Sequence, residues 1–322
     1  MPFQILNIYH RITKMRKIIL AFTLLIMPFL LGNSALAELS SKVVFETTSV
    51  YHHIKVIDEN GVRTLSFDGS METRMSLDNP LTGHFEYTEY FQMPFLWNNH
   101  IKNVAMIGLG GGSTQRAYQY YYPDVNIDTV DIDPAVVDVA KEYFNVRESP
   151  THKIHVMDGR VYLRRTKTKY DVIIMDAYTS NRYGSYIPFH LATKEFFQIA
   201  NDHMSDNGVL AYNVIGTIYG WRADILGALY KTLKEVFPQV YMFPANESQN
   251  VVLIATKSAQ KYTKANVLNE VNKLLKTGRM TNPQMRARTF VFSDFAPGTA
   301  NRSPVLTDDF APTDGLLRTG KK

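Results

Sequence analysis

Val104-Ala-Met-Ile-Gly-Leu-Gly-Gly-Gly-Ser113, followed by Thr129-Val-Asp-Ile-Asp-Pro134, is the stretch whose reading decides the fold. An apolar, β-branched run leads into four glycines within five residues, and a second apolar run ends in acid about twenty residues later. Glycines let a backbone come close to a ligand, and an acid at that spacing is placed to take ribose hydroxyls. The pattern predicts a doubly wound α/β domain that holds a nucleoside.

Outward from this stretch, strands and helices alternate. Val104–Ile107, Ile127–Val130, Lys153–Val156, Asp171–Met175, Val209–Val214, Val240–Phe243 and Val251–Ala255 read as strands. Ser113–Tyr122, Pro134–Phe144, Phe189–Met204, Ala223–Phe237 and Lys264–Lys276 read as helices, and the aromatic-rich Phe85–Trp97 as another. Apolar strands alternating with helices imply a mostly parallel, Rossmann-like sheet. Upstream, Val43 to Ser76 alternates apolar and polar residues, with turns at Asp58-Glu-Asn-Gly61 and Asp68-Gly69. That predicts a small antiparallel β-domain. The expected organisation is a leader over 1–37, a β-domain over 38–80, the α/β domain over 81–292 and an irregular tail over 293–322.

The leader carries basic Arg16-Lys17, an apolar run from Ile18 to Leu31 and the small-residue site Ser34-Ala-Leu-Ala37. This predicts a signal peptide cleaved after Ala37 and an exported, periplasmic body. Uncleaved, the segment anchors the protein in the inner membrane, its only expected membrane contact. The net charge is +5, but the leader holds Arg11, Lys14, Arg16 and Lys17 and no acid, which leaves the body at +1. A near-neutral body gives no electrostatic case for nucleic acid. Without cysteine there is no thiol nucleophile and no thiolate metal site, and no metal is expected elsewhere.

Ligands in such folds sit at the carboxyl ends of the strands. Those ends carry Gly108–Gly112, Asp131, Asp158-Gly159 and Asp176. The loop lacks the Gly-Lys-Ser/Thr of a phosphate-binding loop and a clean Gly-x-Gly-x-x-Gly. An adenosyl compound with a sulfonium or thioether in place of a pyrophosphate fits better: S-adenosylmethionine or a relative. Asp131 is then expected on the ribose and Asp158 on the adenine amino group. The neighbouring Tyr118, Tyr120, Tyr121 and Tyr122 read as a helix face, and His52 and His53 as opposite faces of a strand.

Six motifs then coincide. Leu65-Ser-Phe-Asp-Gly69, Tyr87-Thr-Glu89 with Pro94, Gly108–Gly112, Val130-Asp-Ile-Asp133, Met157-Asp-Gly159 and Tyr170-Asp-Val-Ile-Ile-Met-Asp176 together resemble the spermidine synthase family, the polyamine aminopropyltransferases. The resemblance runs from about Ser49 to Ala255. The closing Leu306-Thr-Asp-Asp-Phe-Ala-Pro312 resembles the members found fused to membrane transporters.

The resemblance implies aminopropyl transfer from decarboxylated S-adenosylmethionine to a polyamine such as putrescine, with Asp176 as catalytic base. It implies a nucleoside pocket at His52, Gly108, Gly110, Gly111, Gly112, Asp131, Asp158 and Gly159, an amine site at Tyr87, Thr179 and Phe243, and pairing of two copies through the β-domain. Departures concentrate on the amine side. Gly111 and Thr179 stand where the family keeps acids, Thr88 where it keeps His or Gln, His52 where it keeps Gln, and Phe243 where it keeps Tyr. Asp308-Asp309 is either a replacement for the lost acids or a capped turn. Two other functions remain open: an S-adenosylmethionine-dependent methyltransferase, and an exported, non-catalytic nucleoside- or polyamine-binding protein.

Overall fold

Alternation of small turns and apolar strands builds the first layer. The computed structural model describes residues 41–181, 184–220 and 222–316, so the expected leader over 1–37 lies outside the described residues. Strands β1 (Lys42–Thr48), β2 (His53–Glu59), β3 (Val62–Phe67) and β4 (Ser70–Ser76) form a sheet in that order. The tight turns Asn60-Gly61 and Asp68-Gly69 have left-handed backbone at both positions, the geometry that matches strand twist in two-residue hairpins. Ile54, Val56, Leu65, Phe67 and Met75 face one way and bury against Val136, Val139 and Phe144. The sheet is thereby seated on the helix Pro134–Tyr143.

The main sheet holds β5 (Asn103–Ile107), β6 (Asn126–Asp131), β7 (His152–Val156), β8 (Tyr170–Met175), β11 (Met204–Ile215), β12 (Gln239–Pro244) and β13 (Asn250–Thr256). Between β8 and β11 lies a separate hairpin of β9 (Thr179–Asn181) and β10 (Gly184–Tyr186). The order is β12-β13-β11-β8-β5-β6-β7. Strands β5, β6, β7, β8 and β11 pair in parallel, whereas β13 runs antiparallel to both β11 and β12. The chain turns one way from β5 to β6 and the other way to β8. The crevice at the carboxyl ends of β5 and β8 is therefore a topological switch point.

Both faces of the sheet are covered. Val104, Met106, Val172 and Ile174 join a core with Phe91, Tyr118 and Val271 on one side. Ala105, Ile107, Ile173 and Met175 join a core with Leu163, Phe196 and Leu229 on the other. This two-sided burial explains why the strands read as continuous apolar runs.

The expected fold class holds, with local corrections. Phe85–Trp97 forms a 3-10 helix over Glu86–Leu96 that contains Pro94, and proline cannot donate to an α-helical ladder. The segment expected as one helix from Phe189 divides into a 3-10 turn, Phe189–Leu191, and a helix, Lys194–Asp202. The side chain of Thr193 accepts from the Phe196 amide and starts the second helix afresh. A helix over Gly159–Arg165 and the β9–β10 hairpin were not expected. Among the described residues, no helix is long and apolar enough to cross a membrane.

Candidate active site

The carboxyl ends of β5, β6 and β8, the 3-10 helix and the β-domain surround a cavity of about 640 Å³. Gly108, Gly110, Asp131, Asp158, Gly159 and Asp176 all line it. So do His52, Tyr87 and Thr179.

Asp176 follows the last residue of β8, and its amide donates to the Ile107 carbonyl at 2.9 Å. Asn213 Nδ2 donates to its Oδ1 at 2.9 Å, and Tyr87 Oη donates to its Oδ2 at 3.2 Å. Asn213 is fixed in turn by Asn250 Nδ2, which donates to its Oδ1 at 3.0 Å. Burial pushes the Asp176 carboxyl up to about 6, against these two donors, which pull it down. Burial also pushes the Tyr87 hydroxyl far up, so it stays a donor at neutral pH. A carboxylate held from two sides and poised near neutrality is the arrangement a general base requires.

Asp131 ties down the loop. Its Oδ2 accepts from the Leu109 amide and its Oδ1 from the Asp133 amide, each at 2.9 Å. Asp158 caps the helix Gly159–Arg165 through Val161 N at 2.8 Å, and its Oδ2 meets His190 Nε2 at 2.7 Å. His190 holds the Asp158 carboxyl below the usual range. Each Asp131 oxygen keeps a second lone pair for a ligand.

Three expected site residues lie elsewhere. Gly111 does not line the cavity: a Cβ there would sit 2.7 Å from Thr73 Cγ2 and 2.9 Å from Phe144 Cδ1. Its amide donates to Thr73 Oγ1 at 2.8 Å and its carbonyl accepts from Arg116. Gly112 opens the helix Ser113–Tyr121 with left-handed backbone and packs on Val146. Phe243 is fully buried among Tyr90, Trp97 and Phe292, so it is core and not amine site. Asp308 also stays out of the cavity, as a turn residue. It takes Arg160 bidentately at 2.7 and 2.6 Å and accepts from Thr193 Oγ1 at 2.7 Å. Arg160 Nη1 also reaches the His190 carbonyl at 3.1 Å, so the tail braces the wall that carries His190. Tyr118 is a buried helix-face residue bonded to the Phe91 carbonyl at 2.7 Å.

Asp308→Ala leaves the Arg160 guanidinium, 8 % exposed, without its carboxylate. We expect a loss of about 1–2 kcal/mol in urea unfolding at pH 7, discounted because Asp308 is partly exposed. Arg160 holds the Asp308 carboxyl below its ordinary value. The contribution is therefore present above the unfolded-state pKa and fades as pH falls through the lowered folded value. Equal stability of variant and parent at pH 7 would show that the tail braces nothing.

Sequence reading missed Glu72, Tyr178, Tyr186, His190 and Asn213, all of which line the cavity. Tyr178 Oη donates to the Asn213 carbonyl at 2.8 Å and accepts from the Ile215 amide at 3.0 Å. The β9–β10 hairpin meets the β-domain through Ser180, which donates to Asp68, and through Ser185, which donates to Glu72 at 3.0 Å.

With this geometry in hand, comparison with known proteins identifies relatives. The sequence matches the spermine/spermidine synthase domain family over residues 84–266. A polyamine aminopropyltransferase of Vibrio vulnificus is 32% identical over 250 residues, covering 74% of this chain and 78% of that protein. The structure matches a spermidine synthase in complex with the transition-state analogue AdoDATO. That match has a TM-score of 0.60 and 22% identity over 81% of this chain and 88% of that one. It also matches human methyltransferase-like protein 13 in complex with SAH, with a TM-score of 0.53 and 25% identity over 60% of this chain and 92% of that one.

Proposed function

Because the chain belongs to the spermine/spermidine synthase family of transferases, we propose that it moves an aminopropyl group from decarboxylated S-adenosylmethionine to an amine such as putrescine. One observation carries the reading. Asp176, held by Asn213 and Tyr87, lines the same cavity as the glycine loop and Asp131. A base therefore faces a nucleoside-sized pocket.

The donor set suits an adenosyl group. Asp131 takes the ribose hydroxyls, Asp158 accepts from the adenine amino group, and Gly108 and Gly110 supply close backbone. His52, stacked on Phe67 at 4.4 Å, closes the pocket from the β-domain. A neutral amine nitrogen then attacks the aminopropyl carbon beside the sulfonium. The C–N bond forms as the C–S bond breaks, the electron pair leaves on sulfur, and the nitrogen's proton passes to Asp176. The rest is alignment of two substrates. Thr179 and Tyr87 both line the cavity, and in this reading they face the amine. Release of methylthioadenosine from decarboxylated S-adenosylmethionine and putrescine tests the reading. Its absence with every amine offered would overturn it.

A methyl-transfer reading is favoured by the likeness to the methyltransferase bound to SAH. Turnover with S-adenosylmethionine and not with its decarboxylated form would select it. Export is part of the same proposal and rests on the sequence before residue 38. The N-terminal sequence of the protein recovered from a periplasmic extract tests it, with cleavage after Ala37 as the expected result.

Asp131→Ala is expected to weaken methylthioadenosine binding by roughly 10- to 100-fold, the range for a hydrogen bond to a charged group. Calorimetry checks it, and unchanged affinity would take the ribose role away from Asp131.

A further inference from the structure

We propose that Glu72 determines acceptor specificity: its carboxylate holds an ammonium group of the acceptor across the cavity from Asp176, which selects amines that carry at least two cationic nitrogens. This deepens the proposed transferase reading and rests on it for the role of Asp176.

The placement of Glu72 is the first ground. The β3–β4 register pairs Leu65 with Thr73 but Ser66 with Met71, so Glu72 is an extra residue with no cross-strand partner. A β-bulge re-aims side chains and breaks strict alternation. Here Met71 is 63% exposed while Thr73 is only 7% exposed, and Glu72 between them lines the cavity. A strand that kept regular alternation would show Met71 and Thr73 on one face with like burial.

Charge balance is the second ground. Glu72 Oε1 accepts from Ser185 Oγ at 3.0 Å, and Ser70 also donates to the carboxyl. Among the described residues, no lysine or arginine pairs with Glu72, Asp176 or Asp68; His52 Nδ1, 3.6 Å from Asp68, is the sole basic group paired with any of the three. Asp176 and Asp68 add like charge around Glu72, and its other titratable neighbours are the hydroxyls of Tyr87 and Tyr178. Burial pushes Glu72 up to about 7, so the free cavity holds part of a proton near neutrality. A carboxyl set apart from any protein cation either keeps its proton or takes its countercharge from a ligand.

The setting of His52 on the same wall is consistent with this. His52 is 7% exposed, lines the same cavity, and its Nδ1 has no hydrogen-bond partner. It lies 3.6 Å from Asp68 Oδ2, an ion-pair distance and not a hydrogen bond. Asp68 thus has His52 as its basic neighbour, whereas Glu72 has only hydroxyl partners.

The test is calorimetry of the full chain with putrescine, cadaverine and n-butylamine, in buffers of different ionisation enthalpy, with methylthioadenosine titrated separately. We expect the diamines to bind with proton release and n-butylamine to bind roughly 10- to 100-fold more weakly. Glu72→Gln should weaken the diamines by a similar factor and abolish most of the proton release. It should leave methylthioadenosine affinity and the melting temperature at neutral pH no lower than in the parent. Diamine affinity and proton release unchanged in Glu72→Gln, or no diamine binding by a parent that binds methylthioadenosine, would overturn the proposal and leave the nucleoside pocket standing. Glu72-dependent diamine binding without any methylthioadenosine binding would uphold Glu72 and overturn the transferase reading instead.

Discussion

Asp176→Asn is expected to lower kcat by roughly 10²- to 10⁴-fold, the usual contribution of a positioned general base. Nucleoside affinity should stay near the parent value, because the asparagine fills the same space between Asn213 and Tyr87. The pH profile carries a second signature. With its carboxyl pushed up to about 6, the parent should lose activity as pH falls through that region, because the base protonates. Glu72 stands nearby and is raised as well, so the observed limb belongs to the pair of carboxylates. Stability runs the other way. A carboxyl whose folded pKa lies above its unfolded value binds more protons in the native state at intermediate pH. The protein therefore loses stability as pH rises from the unfolded value toward the folded one, and above about 6 it carries the full penalty. The neutral amide of the Asp176→Asn variant would carry none. The variant should thus be more stable than the parent at pH 8, by on the order of 1–3 kcal/mol, and should match it near pH 3. Parent-like turnover at pH 8 would remove Asp176 as base. A variant less stable than the parent at pH 8 would show that the ionised carboxylate is stabilised by its partners and not strained by burial.

Gly108→Ala should be the most damaging small substitution in the glycine loop. Gly108 has φ of +98°, and a Cβ added there would lie 2.2 Å from the Asp176 carbonyl oxygen and 2.7 Å from its carbonyl carbon. Backbone cannot rotate aside as a side chain can, so β5 and β8 would have to part at the switch point. Overpacking and a disfavoured backbone together cost about 2–5 kcal/mol. The displaced residue is Asp176, the base in the proposed reaction, so residual folded protein should also lose turnover. Gly61→Ala is the control. Gly61 also has positive φ, but a Cβ there meets nothing within 4 Å, so about 1 kcal/mol of backbone strain is all it should lose. Urea unfolding of both variants separates the cases. Equal losses would mean that the close approach to Asp176 carries no weight.

The sequence made the strand-end side of the cavity legible because its parts are local. A glycine run after a strand and acids at strand ends are short-range patterns, and Gly108, Asp131, Asp158 and Asp176 all reach one cavity. Of the residues expected on an amine, Tyr87 and Thr179 reach the cavity and Phe243 does not. Glu72 was invisible because its direction depends on a slip in the β3–β4 register, and no local pattern at Ser70-Met-Glu-Thr73 announces a bulge. Asn213 was hidden for a different reason. It sits inside a twelve-residue strand where it reads as a polar interruption, and its meaning appears only when β11 pairs beside β8. Phe243 misled because its place before Pro244 matched the family pattern, while its ring joined an aromatic cluster away from the cavity. In the fold, the antiparallel return of β13 between β11 and β12 was equally out of reach. Strand direction is set by the crossover path and leaves no mark on an apolar heptamer such as Asn250–Thr256.

Gly111 couples the glycine loop to the β-domain. The space a side chain would need at Gly111 is already filled by Thr73 and Phe144, while Arg116 claims its carbonyl. Thr73 is also the neighbour of Glu72 on the bulge. A side chain at position 111 therefore requires its neighbours to move. Thr73 and Phe144 would have to shrink first, and changing Thr73 disturbs the strand that aims Glu72. The glycine loop and the β3–β4 bulge are therefore one mechanical unit: bulk added at position 111 is transmitted through Thr73 to the residue beside it.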